Sequence, residues 1–156
     1  MSSVAIGKSV PDFAAPSTAP GGSFRLKDAR GGTLVLYFYP RDNTPGCTLE
    51  GQQFQSLLPR FKRAGIRVVG ISRDTLASHE KFCSKMGFEF ELLADPDESV
   101  CKLFDVMRIK NMYGKKVRGI ERSTFLIDAK GVLRQEWRKL SVEGHAQAVL
   151  EAARAL

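Results

Sequence analysis

Among the side chains able to do chemistry, Cys47 has the most informative neighbours. Thr44-Pro45-Gly46 runs directly into it, just after an apolar segment. Threonine is a good helix N-cap and proline is preferred at the next position. With Thr44 at the N-cap, Cys47 falls in the first helical turn. Its sulfur then lies among unpaired backbone N–H groups at the positive end of the helix dipole, where thiolate is favoured over thiol. Gly46 places no side chain beside the sulfur, so a small oxidant could approach. The spacing therefore points to a nucleophilic, redox-active cysteine; the competing reading is a small apolar residue packed near a turn.

The chain has two further cysteines, Cys83 and Cys101, and two histidines, His79 and His145. No pair has CxxC spacing; the position three after Cys47 is Glu50, which argues against a general disulfide reductase. The spacings also give no zinc site. Cys83 shares an apolar helical stripe with Phe82 and Met86, and Cys101 neighbours Val100 and Leu103, so core packing is an open reading for both. His79 and His145 are expected to be solvent-facing or capping and are assigned no role. Glu50, one turn beyond Cys47, is expected to pair with a nearby cation. Trp137 and the strand aromatics are expected in the core.

The elements that must position Cys47 follow from periodicity. Residues 1–32, rich in Gly, Pro and Ser, predict an irregular lead-in with room for a hairpin. Thr33–Tyr39 is apolar almost throughout, as in a strand buried on both faces. Phe54, Leu57, Leu58 and Phe61 recur at helical spacing up to Gly65. Arg67–Ser72 predicts a strand, His79–Met86 a helix, Leu92-Leu93 a short strand, and Val100–Met107 a short helix. Ser123–Asp128 and Val132–Trp137 predict a hairpin, and Val142–Ala153 a closing amphipathic helix. Alternating strands and helices followed by a hairpin imply an α/β sandwich, its central sheet mixed, with a parallel centre and an antiparallel edge. At 156 residues, with no long linker and no internal repeat, the chain is expected to form one domain spanning 1–156.

Composition narrows the function classes. The chain is 43% apolar and 26% charged, as ordinary globular proteins are. No stretch approaches the roughly 20 apolar residues of a membrane span, and no leader peptide is evident, so a cytoplasmic location is expected. The net charge of +7 raises nucleic-acid binding. The basic residues are dispersed, however, and their densest run, Arg108–Arg122, is expected to be a solvated loop. No nucleic-acid or membrane partner is expected.

Pro40-x-x-x-Thr44-x-x-Cys47 resembles the active-site pattern of the peroxiredoxins. The longer stretch Leu36–Gly51 is similar to that of the bacterioferritin comigratory protein group, also called peroxiredoxin Q. So are Val10–Phe13, Leu93–Asp97, Met112–Lys116 and Gly119–Asp128, in order along nearly the whole chain. The resemblance implies a thioredoxin-like fold and thiol-dependent reduction of hydrogen peroxide and organic hydroperoxides. It implies that Cys47 is peroxidatic, that Pro40 shields it, that Thr44 hydrogen-bonds the sulfur and the peroxide, and that Arg122 is the active-site arginine. It also implies thioredoxin as reductant, a monomer, and no metal, haem or flavin cofactor. Many members carry a second cysteine five residues after the first, but that position here is Gln52. Others carry it on the following helix, where Cys83 stands as the expected resolving residue. An external thiol in that role is the alternative.

Overall fold

The computed structural model describes residues 4–156. The chain runs through β1 (Ala14–Pro16), β2 (Ser23–Arg25), a single 3-10 turn, β3 (Thr33–Phe38), α1 (Pro45–Arg63), β4 (Ile66–Ser72) and α2 (Leu76–Met86). It continues with β5 (Glu91–Ala94), α3 (Ser99–Phe104), β6 (Met107–Met112), β7 (Lys115–Ile120), β8 (Ser123–Ile127), β9 (Leu133–Arg138) and α4 (His145–Arg154). Five strands form the main sheet in the order β5-β4-β3-β8-β9. The β3–β4 and β4–β5 pairs are parallel, whereas β3–β8 and β8–β9 are antiparallel. The sheet is mixed as expected, and β1 and β2 pair as a hairpin within the lead-in.

Strand β3 is apolar from Leu34 onward because it is covered on both faces. Leu34, Leu36 and Phe38 point into one core with Val69, Ile71, Phe125 and Phe104. Val35, Tyr37 and Tyr39 point into the other, against Phe54, Leu58 and Phe61 of α1 and Val149 and Leu150 of α4. The period-two alternation of a strand thus separates two packed layers. Helices α1, α2 and α4 contribute to one layer, α3 and the N-terminal segment to the other.

Two expectations are corrected. The helix predicted to reach Met107 ends at Phe104, because Asp105 adopts a left-handed conformation with φ 54° and its N–H turns back to Cys101 and Lys102 carbonyls. Met107 instead begins β6. The basic run is not a loop but the β6–β7 hairpin, paired from Met107↔Ile120 to Met112↔Lys115. Its two-residue turn, Tyr113-Gly114, has φ 54° and 78°, the positive values a tight hairpin requires. Most of it is exposed, so no buried face imposed the alternation that betrays a strand.

Register places the chemistry. Phe38, the last residue of β3, pairs with Ser123, the first of β8. The loop leaving β3 toward Cys47 therefore starts beside Arg122. Next to this pair, Gly70 in β4 has no room for a side chain. A Cβ there would lie 2.7 Å from Leu92 Cδ2 and 2.8 Å from Tyr37 Cζ. Both neighbours are buried and cannot retreat. Gly70→Ala should cost about 1–3 kcal/mol of stability by overpacking. Urea unfolding measures this, and an unchanged midpoint would contradict the packing described.

Candidate active site

Thr44 is the N-cap of α1, with extended φ −87° and ψ 155°, and Pro45 is the first helical residue. The first helical bond runs from the Thr48 N–H to the Thr44 carbonyl, 2.8 Å. Cys47 thus occupies the third helical position, where N–H groups have no partner inside the helix. The helix start is where the sequence placed it. The cap is not made by the Thr44 side chain, however: its hydroxyl donates to the Arg41 carbonyl at 3.0 Å. With that proton committed, the hydroxyl can only accept from a bound molecule. Cys47 is 3% exposed.

Arg122, between β7 and β8, reaches this turn. Its Nη2 donates to Cys47 Sγ at 3.4 Å and its Nη1 to Glu50 Oε1 at 2.6 Å. Gly46 permits the approach, since a Cβ there would stand 3.1 Å from Arg122 Nη2. Burial alone would lower the Arg122 pKa, but facing Glu50 and Cys47 raises it above its ordinary value. The guanidinium is a permanent cation with fixed donors at the sulfur. Glu50, 1% exposed, is paired with a cation as expected. Burial pushes its pKa up to about 7 against the pull of Arg122. Its second oxygen, Oε2, is buried without a protein partner. A protonated Glu50 leaves more of the guanidinium charge for the sulfur than an ionised one would.

The structure gathers Cys47, Thr44 and Arg122 at one turn. Pro40 stands half-buried at the head of the loop that leads to it. Cys83 lies on α2, partly buried, its Sγ 3.9 Å from Thr18 Oγ1. Burial chiefly raises its pKa. All three cysteines are free thiols. Cys101 is fully buried, with its backbone N–H bonded to Asp95 Oδ2 at 2.8 Å, and burial pushes its thiol far up. That matches a core role.

The histidines depart from expectation, because both are buried. His145 Nε2 meets Thr124 Oγ1 at 2.8 Å, and burial with Arg122 nearby pushes its pKa down to about 4. It is therefore neutral at pH 7. His79 joins a network with Asp42 and Tyr39 that residue-by-residue reading missed; the nearest signal was an acid, Asp42, in the short loop before α1. Lys110 of the hairpin was also missed. Its Nζ donates to the Ile120 carbonyl at 2.6 Å. Burial first, then Arg122, lower its pKa, opposed by Glu121 and then by Cys47.

A mixed sheet flanked by helices, with a buried cysteine at a helix start under an arginine, defines a thioredoxin-like thiol peroxidase. The chain belongs to the AhpC/TSA family, whose pattern matches residues 6–136. Peroxiredoxin Bcp of Xanthomonas campestris is 53% identical over 144 residues, covering 92% of this chain and 90% of that protein. Two solved structures agree. One is the Xanthomonas campestris bacterioferritin comigratory protein, studied for its alkyl peroxide reduction activity: TM-score 0.85, 50% identity, 92% and 90% coverage. The other is a Xylella fastidiosa PrxQ mutant: TM-score 0.90, 43% identity, 97% and 96% coverage. Among the described residues, no helix is long and apolar enough to cross a membrane.

The buried Glu50 gives a pH-dependent signature. Unfolded, it releases its proton near its ordinary 4.5; folded, it holds it to about 7. Between these values the native state binds more protons, so this group makes stability fall as pH rises. Glu50→Gln removes that dependence. The stability of the parent relative to the variant should therefore decline from about pH 4.5 to about pH 7.5, read by urea unfolding. Parallel pH profiles would contradict the assignment.

Proposed function

We propose that Cys47 is the peroxidatic residue of a hydroperoxide reductase, that Cys83 resolves it, and that thioredoxin restores both thiols. The observation that carries this reading is the Arg122 Nη2 contact with Cys47 Sγ at 3.4 Å, in the first turn of α1. A peroxide lying against the sulfur meets a cation and backbone N–H donors on one side. On another it meets the Thr44 hydroxyl, ready to accept its O–H. The Cys47 thiolate attacks one peroxide oxygen, and the O–O bond breaks. The second oxygen leaves as hydroxide or alkoxide and takes a proton to become water or alcohol. Arg122 stabilises the charge that grows on that oxygen. Alignment matters because the partners otherwise meet at random. Pro40 closes one side of the sulfur against solvent.

The product is a Cys47 sulfenic acid, which condenses with a thiol to give a disulfide and water. Cys83 is partly buried on α2, while Cys47 is buried in α1, so bringing the sulfurs together requires local opening of one or both helices. We read residues 1–156 as one domain that works as a cytoplasmic monomer on hydrogen peroxide and organic hydroperoxides, in line with the group it resembles. The cycle needs no metal, haem or flavin.

One equivalent of hydrogen peroxide, followed by thiol blocking and non-reducing peptide mass mapping, tests the cycle. The expected product is a Cys47–Cys83 link with Cys101 free. Oxidation confined to Cys47 would make the enzyme one-cysteine and dependent on an external thiol. An unmodified, alkylatable Cys47 would overturn the peroxidatic assignment.

A further inference from the structure

The loop that carries Thr44 is tied to the helix that carries Cys83 by one buried polar cluster. Asp42, 8% exposed, lies in that loop and makes three side-chain hydrogen bonds through its carboxylate. Tyr39 OH donates to its Oδ1 at 2.6 Å. Ser78 Oγ lies 2.8 Å and His79 Nδ1 2.7 Å from its Oδ2. Ser78 and His79 both belong to the first turns of α2. His79, fully buried, sets its other ring nitrogen, Nε2, 2.8 Å from the Leu93 carbonyl of β5. A ring with acceptors on both sides bonds both only when each nitrogen carries a hydrogen. The loop is held at its backbone too, with the Asp42 N–H on Asp74 Oδ2 at 2.9 Å. Asp42, Asp74 and His79 bring possible ligand atoms within 4.8 Å of one another. Asp42 and His79 are already bonded to each other, and Asp74 to Ser72 Oγ and the Asp42 N–H, so the cluster reads as a tie. Burial would raise the Asp42 pKa, but the bonds from His79, Tyr39 and Ser78 hold it below its ordinary value.

By contrast, Cys83 packs against the core beside Met86 but has little polar restraint. It sits in the last turns of α2 and its own polar contact is a 3.9 Å approach to Thr18. The buried polar anchor of α2 is therefore at its N-terminal end, on the same loop that shapes the Cys47 site; nearer its other end Phe82 packs on Tyr39 and Phe88, and Lys85 makes an exposed bond to Asn43 at 3.1 Å.

We propose that Asp42 and His79 form a latch that holds α2 against the Cys47 loop and sets how often Cys83 is released to Cys47. They are positioning residues for the resolving step. This rests on Cys83 being the resolving cysteine. With the latch closed, Cys47 meets peroxide in its formed site and Cys83 stays apart. When the latch opens, the Cys83 thiolate attacks the sulfenyl sulfur of Cys47. The S–S bond forms, the S–OH bond breaks, and the hydroxide leaves with a proton as water.

Two isosteric variants separate this role from general support of the core. In His79→Asn the amide nitrogen takes the place of Nδ1 and keeps a donor on Asp42. In His79→Gln it takes the place of Nε2 and keeps only the Leu93 bond. Two rates are read: alkylation of Cys83 in the reduced protein, and Cys47–Cys83 disulfide formation after one equivalent of hydrogen peroxide. Losing a buried bond to a charged group predicts that Gln raises both by about tenfold or more, with Asn within about threefold of the parent. Equal behaviour of Asn and Gln, or no change in either, overturns the latch. If the parent forms no Cys47–Cys83 disulfide, the resolving assignment fails, but Cys83 alkylation still decides whether the latch exists. Should neither variant fold, Ser78→Ala removes one donor from Asp42 Oδ2 and should raise Cys83 alkylation about threefold; an unchanged rate overturns the proposal.

Discussion

The site depends on a half-buried guanidinium shared between a sulfur and a carboxylate. Arg122 faces Cys47 and Glu50 together, in a region where neither partner sees much water. In such surroundings an unpaired charge is costly, and each charge is fixed by its neighbours. Glu50 responds by holding its proton to about 7, and Arg122 by holding its charge more firmly. Gly46 and the proline-led helix start follow from the same need, which is to let the cation approach the first turn closely.

The sheet supplies the coordinates for that meeting. Strand β3 lies between β4 and β8, with the loop to Cys47 leaving its C-terminal end. The antiparallel β8 begins at the same level, so the segment just before it, carrying Arg122, arrives at the loop. Two residues 75 apart in sequence become neighbours through one strand register. The aromatic layer of Tyr37, Phe54 and Phe61 then fixes α1 against the sheet, including a stacked Tyr37–Phe54 pair at 4.6 Å. The same loop is tied to α2 through Asp42, so the reacting turn and the helix of the second thiol share one support.

Much of this was legible in the sequence because it is local. The helix start at Thr44-Pro45, the apolar run of β3 and the helical stripe of α1 each depend on neighbours within a few residues, and the structure holds all three, although the Thr44 side chain makes no cap bond. Arg122 was legible only through its resemblance to a known segment; by itself it is an arginine beside Glu121. The β6–β7 hairpin escaped notice because an exposed ribbon needs no apolar face and its Tyr-Gly turn is an uncommon signal. The end of α3 escaped because a left-handed aspartate, not a glycine, stops it. His79 and His145 were misplaced to the surface because the groups that satisfy them, Asp42, Leu93 and Thr124, are distant in sequence.

The claim that Arg122 makes Cys47 a peroxidase is tested most directly by single-turnover kinetics. The second-order rate of Cys47 oxidation by hydrogen peroxide would be compared between the parent and Arg122→Ala at neutral pH, with folding checked by circular dichroism. Loss of a preorganised donor at the developing charge predicts a fall of about 10²–10³-fold. A folded variant that reacts within about twofold of the parent would show that the guanidinium is structural and that the reactivity of Cys47 has another source.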